Sequence, residues 1–317
     1  MNQYIGIDFG GTNIACGLVD EEGRLLFKKS CRTGAHRSTE EILDDLVSLV
    51  RSVIREGCAE GDVSFCGVAI PGTADADHGT TGFCCNVPGI SFLPLGEMLS
   101  ERLGIKKVMI DNDANCAAKG EAEAGAAKGV KNSVFITLGT GVGGGVVLDG
   151  KLFRSFNFAG PELGHTVIEK NGLPCACGRR GCWECYASAT ALCRMTAEKM
   201  VEDPATLMWN LCNGDLKNVS GMTAFRAADE GDASARAVLD EFCSYLAMGI
   251  TNMINIFQPE ILSVGGGVSA EGEKLLAPVR AIVEREQYSR NCEKKTVLKQ
   301  AALGNDAGII GAALLWR

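Results

Sequence analysis

Residues 162–185 read ELGHTVIEKNGLPCACGRRGCWEC and hold the densest chemistry in the chain. Cys175, Cys177, Cys182 and Cys185 fall within eleven positions, and His165 lies ten residues before the first of them. Glu162 and Glu184 flank the cluster. Dense cysteine beside a histidine, in a chain without secretory features, points to zinc before a disulfide. On spacing alone the four thiols make an all-cysteine set without histidine. The flanking acids suggest that the metal stiffens a loop with another job.

Two glycine-rich turns offer a second chemistry. One runs Asp8-Phe9-Gly10-Gly11-Thr12-Asn13; the other runs from Leu138 through Gly139, Thr140, Gly141, Val142, Gly143 and Gly144 to Gly145. Glycines let backbone N–H groups approach an anion, and threonine hydroxyls add donors. The second turn contains G-x-G-x-x-G, but a strand follows where a dinucleotide site needs a helix. No Lys-Ser/Thr pair completes a Walker loop. What remains is a pair of hairpin tips able to grip a triphosphate. Asp8 is placed to hold Mg²⁺ through water. A third run, Gly265-Gly266-Gly267-Val268-Ser269, ends a strand before a helix and suits close packing against a nucleoside.

Asp111-Asn112-Asp113-Ala114-Asn115 sits where a strand ends and a helix begins. Helix capping needs one such residue; here four of five are Asp or Asn. A carboxylate at a strand's C-terminal end is a common place for a base. Asp113 could take the proton of an attacking hydroxyl, and Asn112 could bind its neighbour.

The elements that must position these groups follow from periodicity. Tyr4–Phe9, Ile14–Val19 and Leu25–Lys29 read as three consecutive antiparallel strands. Ser38 and Glu41 form a capping box before a helix with apolar residues from Ile42 to Ile54. Phe65–Ile70 and Lys107–Asp111 read as strands, Leu95–Leu103 and Ala114–Ala127 as helices. A second block repeats the plan, with strands at Val134–Leu138, Gly145–Leu148 and Ile261–Val264. Helices are expected over 188–200, 222–230, 233–256, 269–286 and 306–316. This is a duplicated α/β fold expected to bind ligands in a central cleft. The expected division is 1–115 plus about 300–317 for a smaller domain and 116–299 for a larger one carrying the cysteine loop.

Length and composition bound the reading. At 317 residues the chain is long enough for two domains. A net charge of −8 without a basic run argues against nucleic acid or an anionic membrane as partner. The N-terminus has no signal-peptide pattern, and no window reaches a membrane span of about 20 apolar residues. A cytoplasmic location is therefore expected, with reduced thiols. Cys16, Cys66, Cys84 and Cys85 then read as small buried apolar residues.

Taken together, DFGGTN (8–13), VAIPGTAD (68–75), NVPG (86–89), DNDAN (111–115), TLGTGVGGG (137–145), ELGH (162–165), CACGRRGC with Trp183-Glu184, and GGGVS (265–269) resemble the ROK family of sugar kinases. Within it, the pattern is most similar to bacterial glucokinases. The resemblance implies the actin/hexokinase-like (ribonuclease H-like) fold and ATP-dependent phosphorylation of a hexose 6-hydroxyl. It implies Asp113 as catalytic base, with Asn86, Asn112, Asp113, Glu162, His165 and Glu184 on the sugar. Asp8, Gly10, Gly11, Thr12, Thr140, Gly141, Gly143 and Gly144 would grip phosphates and Mg²⁺. Gly265, Gly266 and Gly267 would meet the nucleoside. His165, Cys175, Cys177 and Cys182 would hold a structural zinc, which replaces Cys185 by a histidine. A homodimer or homotetramer is the family expectation. Ile90 stands where many family glucokinases have Trp, and Pro161 where Gly is common; both bear on which hexose fits. An N-acetylglucosamine or N-acetylmannosamine kinase is the alternative, and a non-catalytic sugar-binding regulator a further one. The regulators carry an N-terminal helix-turn-helix, for which a first strand at Tyr4 leaves no room.

Overall fold

Strand β1 (Gln3–Phe9) lies at the centre of the first sheet. It pairs antiparallel with β2 (Asn13–Asp20), which pairs antiparallel with β3 (Leu25–Arg32). On its other side it pairs parallel with β4 (Cys66–Ile70), which pairs parallel with β7 (Val108–Asn112). Between them, β5 (Ala74–Asp75) and β6 (Thr80–Thr81) make a short antiparallel pair. The structure is a computed structural model, and it describes residues 2–57, 63–84 and 86–317. Cys85 thus lies outside the described residues, whereas Cys16, Cys66 and Cys84 are fully buried as expected.

Helices cover both faces of this sheet. On one face, α1 (Thr39–Gly57) buries Ile42, Leu43, Leu46, Val50 and Val53 against Ile5, Ile7 and Phe9, with α2 (Leu95–Leu103) beside it. Its capping box forms as expected: the Ser38 N–H donates to Glu41 Oε2 at 3.0 Å, and the Glu41 N–H to Ser38 Oγ at 3.3 Å. The other face packs Tyr4, Val19 and Ala69 against the terminal helix, which carries Ile309 and Ala313. Helix α3 (Asp113–Glu123) joins that layer through Cys116.

The second sheet has the order β10-β9-β8-β11-β12, with β8 (Ser133–Leu138), β9 (Val142–Leu148), β10 (Lys151–Leu152), β11 (Ile261–Gly265) and β12 (Val297–Gln300). Two hairpin-linked strands flank one side of its central strand, as in the first sheet's order β3-β2-β1-β4-β7. The duplication read from sequence is thus a repeated strand order. Further helices are α4 (Glu184–Ala187), α5 (Ala189–Glu202), α6 (Met208–Leu211), α7 (Thr223–Asp229), α8 (Ala233–Phe257), α9 (Glu273–Glu286) and α10 (Ala307–Ala313). Among the described residues, no helix is long and apolar enough to cross a membrane.

Contacts divide the chain into two units: residues 1–135, 145–161 and 302–317 in the first, and residues 136–144 and 162–301 in the second. The first unit thus takes in 116–135 and 145–161, which were expected in the second. The cause is α3, which packs on α10 within the first unit. Helix α3 also stops at Glu123 instead of running to Ala127. Buried Glu121 accepts the backbone N–H of Ala126 at 2.7 Å, Ala302 at 3.0 Å and Leu303 at 2.8 Å. Satisfying that buried carboxylate draws the chain out of the helix. The helix expected over 269–286 is broken by Gly272, at φ +56°, into a 3-10 turn (Gly267–Glu271) and α9.

Candidate functional site

In the first unit, the Asp8–Asn13 turn links β1 to β2. The Gly10 N–H donates to Asn13 O at 3.0 Å and closes the hairpin tip. Thr33, just past β3, secures both sides of it: its hydroxyl donates to Gly10 O at 2.6 Å and its N–H to Thr12 O at 2.9 Å. Nothing in the sequence singled out Thr33, since a threonine at a strand end is ordinary. Asn86 packs against this turn, and a Cβ on Gly11 would lie 3.1 Å from Asn86 Cβ.

Asp8 is the last but one residue of β1, among buried residues, and Gly308 of α10 approaches its carboxylate. Burial, together with the Asp113 charge, raises the Asp8 pKa to about 6, against a weaker pull downward from Lys28. Asp113, the first residue of α3, is also raised, chiefly by burial. The Ala114 N–H donates to its Oδ1 at 2.7 Å. The two carboxylates thus share one electrostatic neighbourhood and both shift toward neutrality, although Asp113 remains exposed to solvent and Asp8 the more enclosed of the two.

Asn112 caps α3: its Oδ1 accepts from the Ala114 N–H at 2.9 Å and the Asn115 N–H at 3.2 Å. Its amide donates to Gly72 O at 3.0 Å. The side chain expected to bind a ligand therefore also shapes the helix start. Asp111 is buried, and its Oδ2 accepts from Arg154 Nε at 2.5 Å while its Oδ1 takes the Asn115 amide at 3.0 Å and the Asn112 N–H at 2.9 Å. Arg154, from the segment after β10, was not legible in sequence; an arginine in a polar loop reads as surface. Ile90, expected beside the sugar pocket, is fully buried in the core against α1 and α2.

In the second unit, the Thr140 turn joins β8 to β9, closed by the Gly139 N–H donating to Gly141 O at 3.1 Å. At the end of β11, Gly266 adopts φ +84°, and Ser269 Oγ donates to its carbonyl at 2.7 Å. Glu162 and His165 border a 3-10 turn (Leu163–His165), and Glu184 opens α4.

His165, Cys175, Cys177 and Cys182 bring one ligand atom each into a group spanning no more than 4.8 Å. His165 Nδ1 lies 3.6 Å from Cys175 Sγ, and Cys177 Sγ lies 3.6 Å from Cys182 Sγ. A zinc tetrahedron with bonds of about 2.3 Å to sulfur and about 2.0 Å to nitrogen has edges of roughly 3.5–3.8 Å. The spacing and the borderline-soft donor set both fit zinc. The Arg179 backbone N–H holds the Cys177 thiol below its ordinary range, toward the thiolate that a metal needs, whereas burial raises Cys175 and Cys182. Cys185 stands outside this group, its thiol directed at Pro174 O at 3.7 Å. Among the described residues, the ligand atoms that converge are therefore those of three cysteines and one histidine. His165 meets the cluster through Nδ1, and Cys175 Sγ donates to Glu184 Oε1 at 3.1 Å. A cavity of about 320 Å³ is lined by Thr140, Glu184, Cys185, Ser188, Thr190 and Arg194.

Comparison with known proteins agrees over the whole length. The ROK family profile matches residues 4–317. A glucokinase of Thermotoga maritima is 38% identical over 98% of this chain and 96% of its own. A glucokinase of Streptomyces coelicolor is 36% identical over 100% and 98%. The crystal structure of a ROK family glucokinase from Streptomyces griseus, in complex with glucose and AMPPNP, superposes with a TM-score of 0.82 at 34% identity, covering 99% of each chain. The architecture is thus the actin/hexokinase-like one expected. With its glycine turns, its DNDAN strand end and its cluster of three cysteines and a histidine, this chain belongs to the ROK family.

Proposed function

We propose that this protein transfers the γ-phosphoryl group of ATP to the 6-hydroxyl of glucose. The observation that carries the reading is the pair Asp8, near the end of β1, and Asp113, the first residue of α3, two interacting carboxylates with raised pKa values. The naming of relatives as glucokinases, and the glucose and AMPPNP of the Streptomyces griseus structure, support the choice of substrates.

Asp113 accepts the proton of the 6-hydroxyl as its oxygen bonds to the γ-phosphorus; the bond to the bridging oxygen breaks and ADP leaves. A raised pKa suits that base, because proton transfer is most effective when the acceptor titrates near working pH. Asn86, Asn112, Glu162, His165 and Glu184 bind and orient the sugar hydroxyls. The turns at Gly10, Gly11 and Thr12 and at Thr140 to Gly144 hold the phosphates, with the Gly10 N–H itself engaged by Asn13 O, and Gly265 to Gly267 pack against the nucleoside. Asp8, a hard oxygen donor, would hold Mg²⁺ through water, and the ion would neutralise phosphate charge. The zinc set is structural, with four protein ligands and no open position. It leaves Nε2 of His165 for a sugar hydroxyl. Catalysis of this kind rests on positioning and charge neutralisation.

Product identification tests the reaction. Phosphorus-coupled proton NMR of the product from glucose and ATP is expected to place the phosphate on carbon 6. Phosphate on carbon 1, or on no sugar, would reject it.

A further inference from the structure

The cysteine–histidine loop does more in the second unit than border the sugar-binding side chains. Both of its ends press on the turn that joins β8 to β9. On the entering side, Gly164 lies so close that a Cβ there would sit 2.1 Å from Val142 O. On the leaving side, a Cβ on Gly141 would sit 2.5 Å from Glu184 Oε2. The other oxygen of that carboxylate lies 3.1 Å from Cys175 Sγ, so one side chain touches both the cysteine cluster and the turn. Just past α4, Ser188 caps α5 by accepting the Ala191 N–H at 3.1 Å. The next two residues then hold the turn directly. The Ala189 N–H donates to Gly139 O at 2.9 Å, and Thr190 Oγ1 donates to Thr140 O at 2.8 Å.

The loop is itself anchored. The Trp183 indole is fully buried, donates to Tyr245 O at 3.0 Å on α8, and packs against Gly249. Its backbone N–H donates to Thr166 O at 2.8 Å, which ties the two ends of the loop together. The turn between Gly139 and Val142 is therefore held from one side by the segment before the cysteines and from the other by the segment after them.

We infer that the zinc loop positions the phosphate-binding turn as well as the sugar-binding side chains, with Thr190 as the positioning residue for Thr140. A turn that presents backbone N–H groups to an anion works only if its peptide planes are fixed before the ligand arrives. Thr190 fixes the Thr140 carbonyl, and hence the peptide plane that carries the Gly141 N–H. Metal bound by His165, Cys175, Cys177 and Cys182 fixes the loop ends from which Glu184 and Thr190 act. The inference rests on the reading of this turn as the ATP phosphate grip.

The test is steady-state kinetics of Thr190→Val, Thr190→Ala and Thr190→Ser with glucose and ATP, together with calorimetric ADP binding. A neutral hydrogen bond is worth about 0.5–1.5 kcal/mol, so its loss is expected to raise the ATP KM about 2- to 13-fold. The glucose KM should stay within about twofold, because Thr190 touches no sugar ligand directly. Serine keeps the hydroxyl and is expected to restore the ATP KM. Alanine removes the hydroxyl without bulk and is expected to match valine. Protein stripped of metal by a chelator is expected to bind ADP correspondingly more weakly by calorimetry. An unchanged ATP KM in both Val and Ala variants, an equal loss in the Ser variant, or a parallel rise in both KM values would overturn the inference. Wild-type protein that binds no ADP would instead reject the phosphate-grip reading itself.

Discussion

Replacing Asp113 by Asn keeps the side chain's shape and its bond from the Ala114 N–H while removing the proton acceptor. Asp113→Asn is expected to lower kcat by about 10²- to 10⁴-fold while glucose still binds by calorimetry; wild-type-like turnover would reject Asp113 as base. The pH profile follows from the same shifts. A base raised by burial is ionised only above the ordinary carboxylate range, so kcat/KM is expected to fall on the acid side, with its limb displaced upward from that range. A limb near pH 4 would contradict it. The stability effect runs the other way. A carboxyl raised in the folded state stabilises most below its ordinary value of 3.8, and that contribution is lost as pH rises through about 6. Asp8→Asn is therefore expected to raise the thermal midpoint at pH 7.5, by at most about 3 kcal/mol of stability, while impairing activity. No gain at pH 7.5 relative to pH 4 would count against the buried, charged Asp8.

At the scale of elements, the strand end at Asp111 depends on an ion pair that closes over it. Arg154→Met leaves the Asp111 carboxylate buried with only the two N–H donors of Asn112 and Asn115, and is expected to cost about 2–4 kcal/mol in denaturant unfolding. Adding Asp111→Asn removes the uncompensated charge and is expected to recover part of that loss; full additivity of the two would contradict the pairing. This contact also marks where sequence stopped being informative. Helix α1 was legible because its apolar spacing and its capping box point to one answer. The edge strand β12 was not, because a short exposed run with Lys299 and Gln300 carries no burial pattern. Helix α3 ends four residues earlier than its alanine-rich sequence predicts, since the Ala126 N–H and the distant N–H groups of Ala302 and Leu303 converge on Glu121. The residues expected at the chemistry were visible because glycine, Asp and Cys at fixed spacings have few other uses. Thr33, Arg154 and Thr190 were not, because they act on their neighbours' backbone or carboxylates through long-range contacts.

The whole molecule joins a duplicated α/β architecture to a loop that gathers three cysteines and a histidine, and to a carboxylate pair. Metal analysis is expected to find one zinc per chain, lost in Cys182→Ser and kept in Cys185→Ser; zinc lost from the Cys185 variant would restore the all-cysteine assignment. The measurement that bears most directly on the central claim is sugar-dependent ADP release from ATP, followed in a coupled assay with glucose, N-acetylglucosamine, N-acetylmannosamine, mannose, allose and fructose. Release is expected to be fastest with glucose, to require Mg²⁺ and to fall by about 10²-fold or more in Asp113→Asn. Release favouring an N-acetylhexosamine would contradict the choice of glucose, and no release with any sugar would contradict the kinase reading.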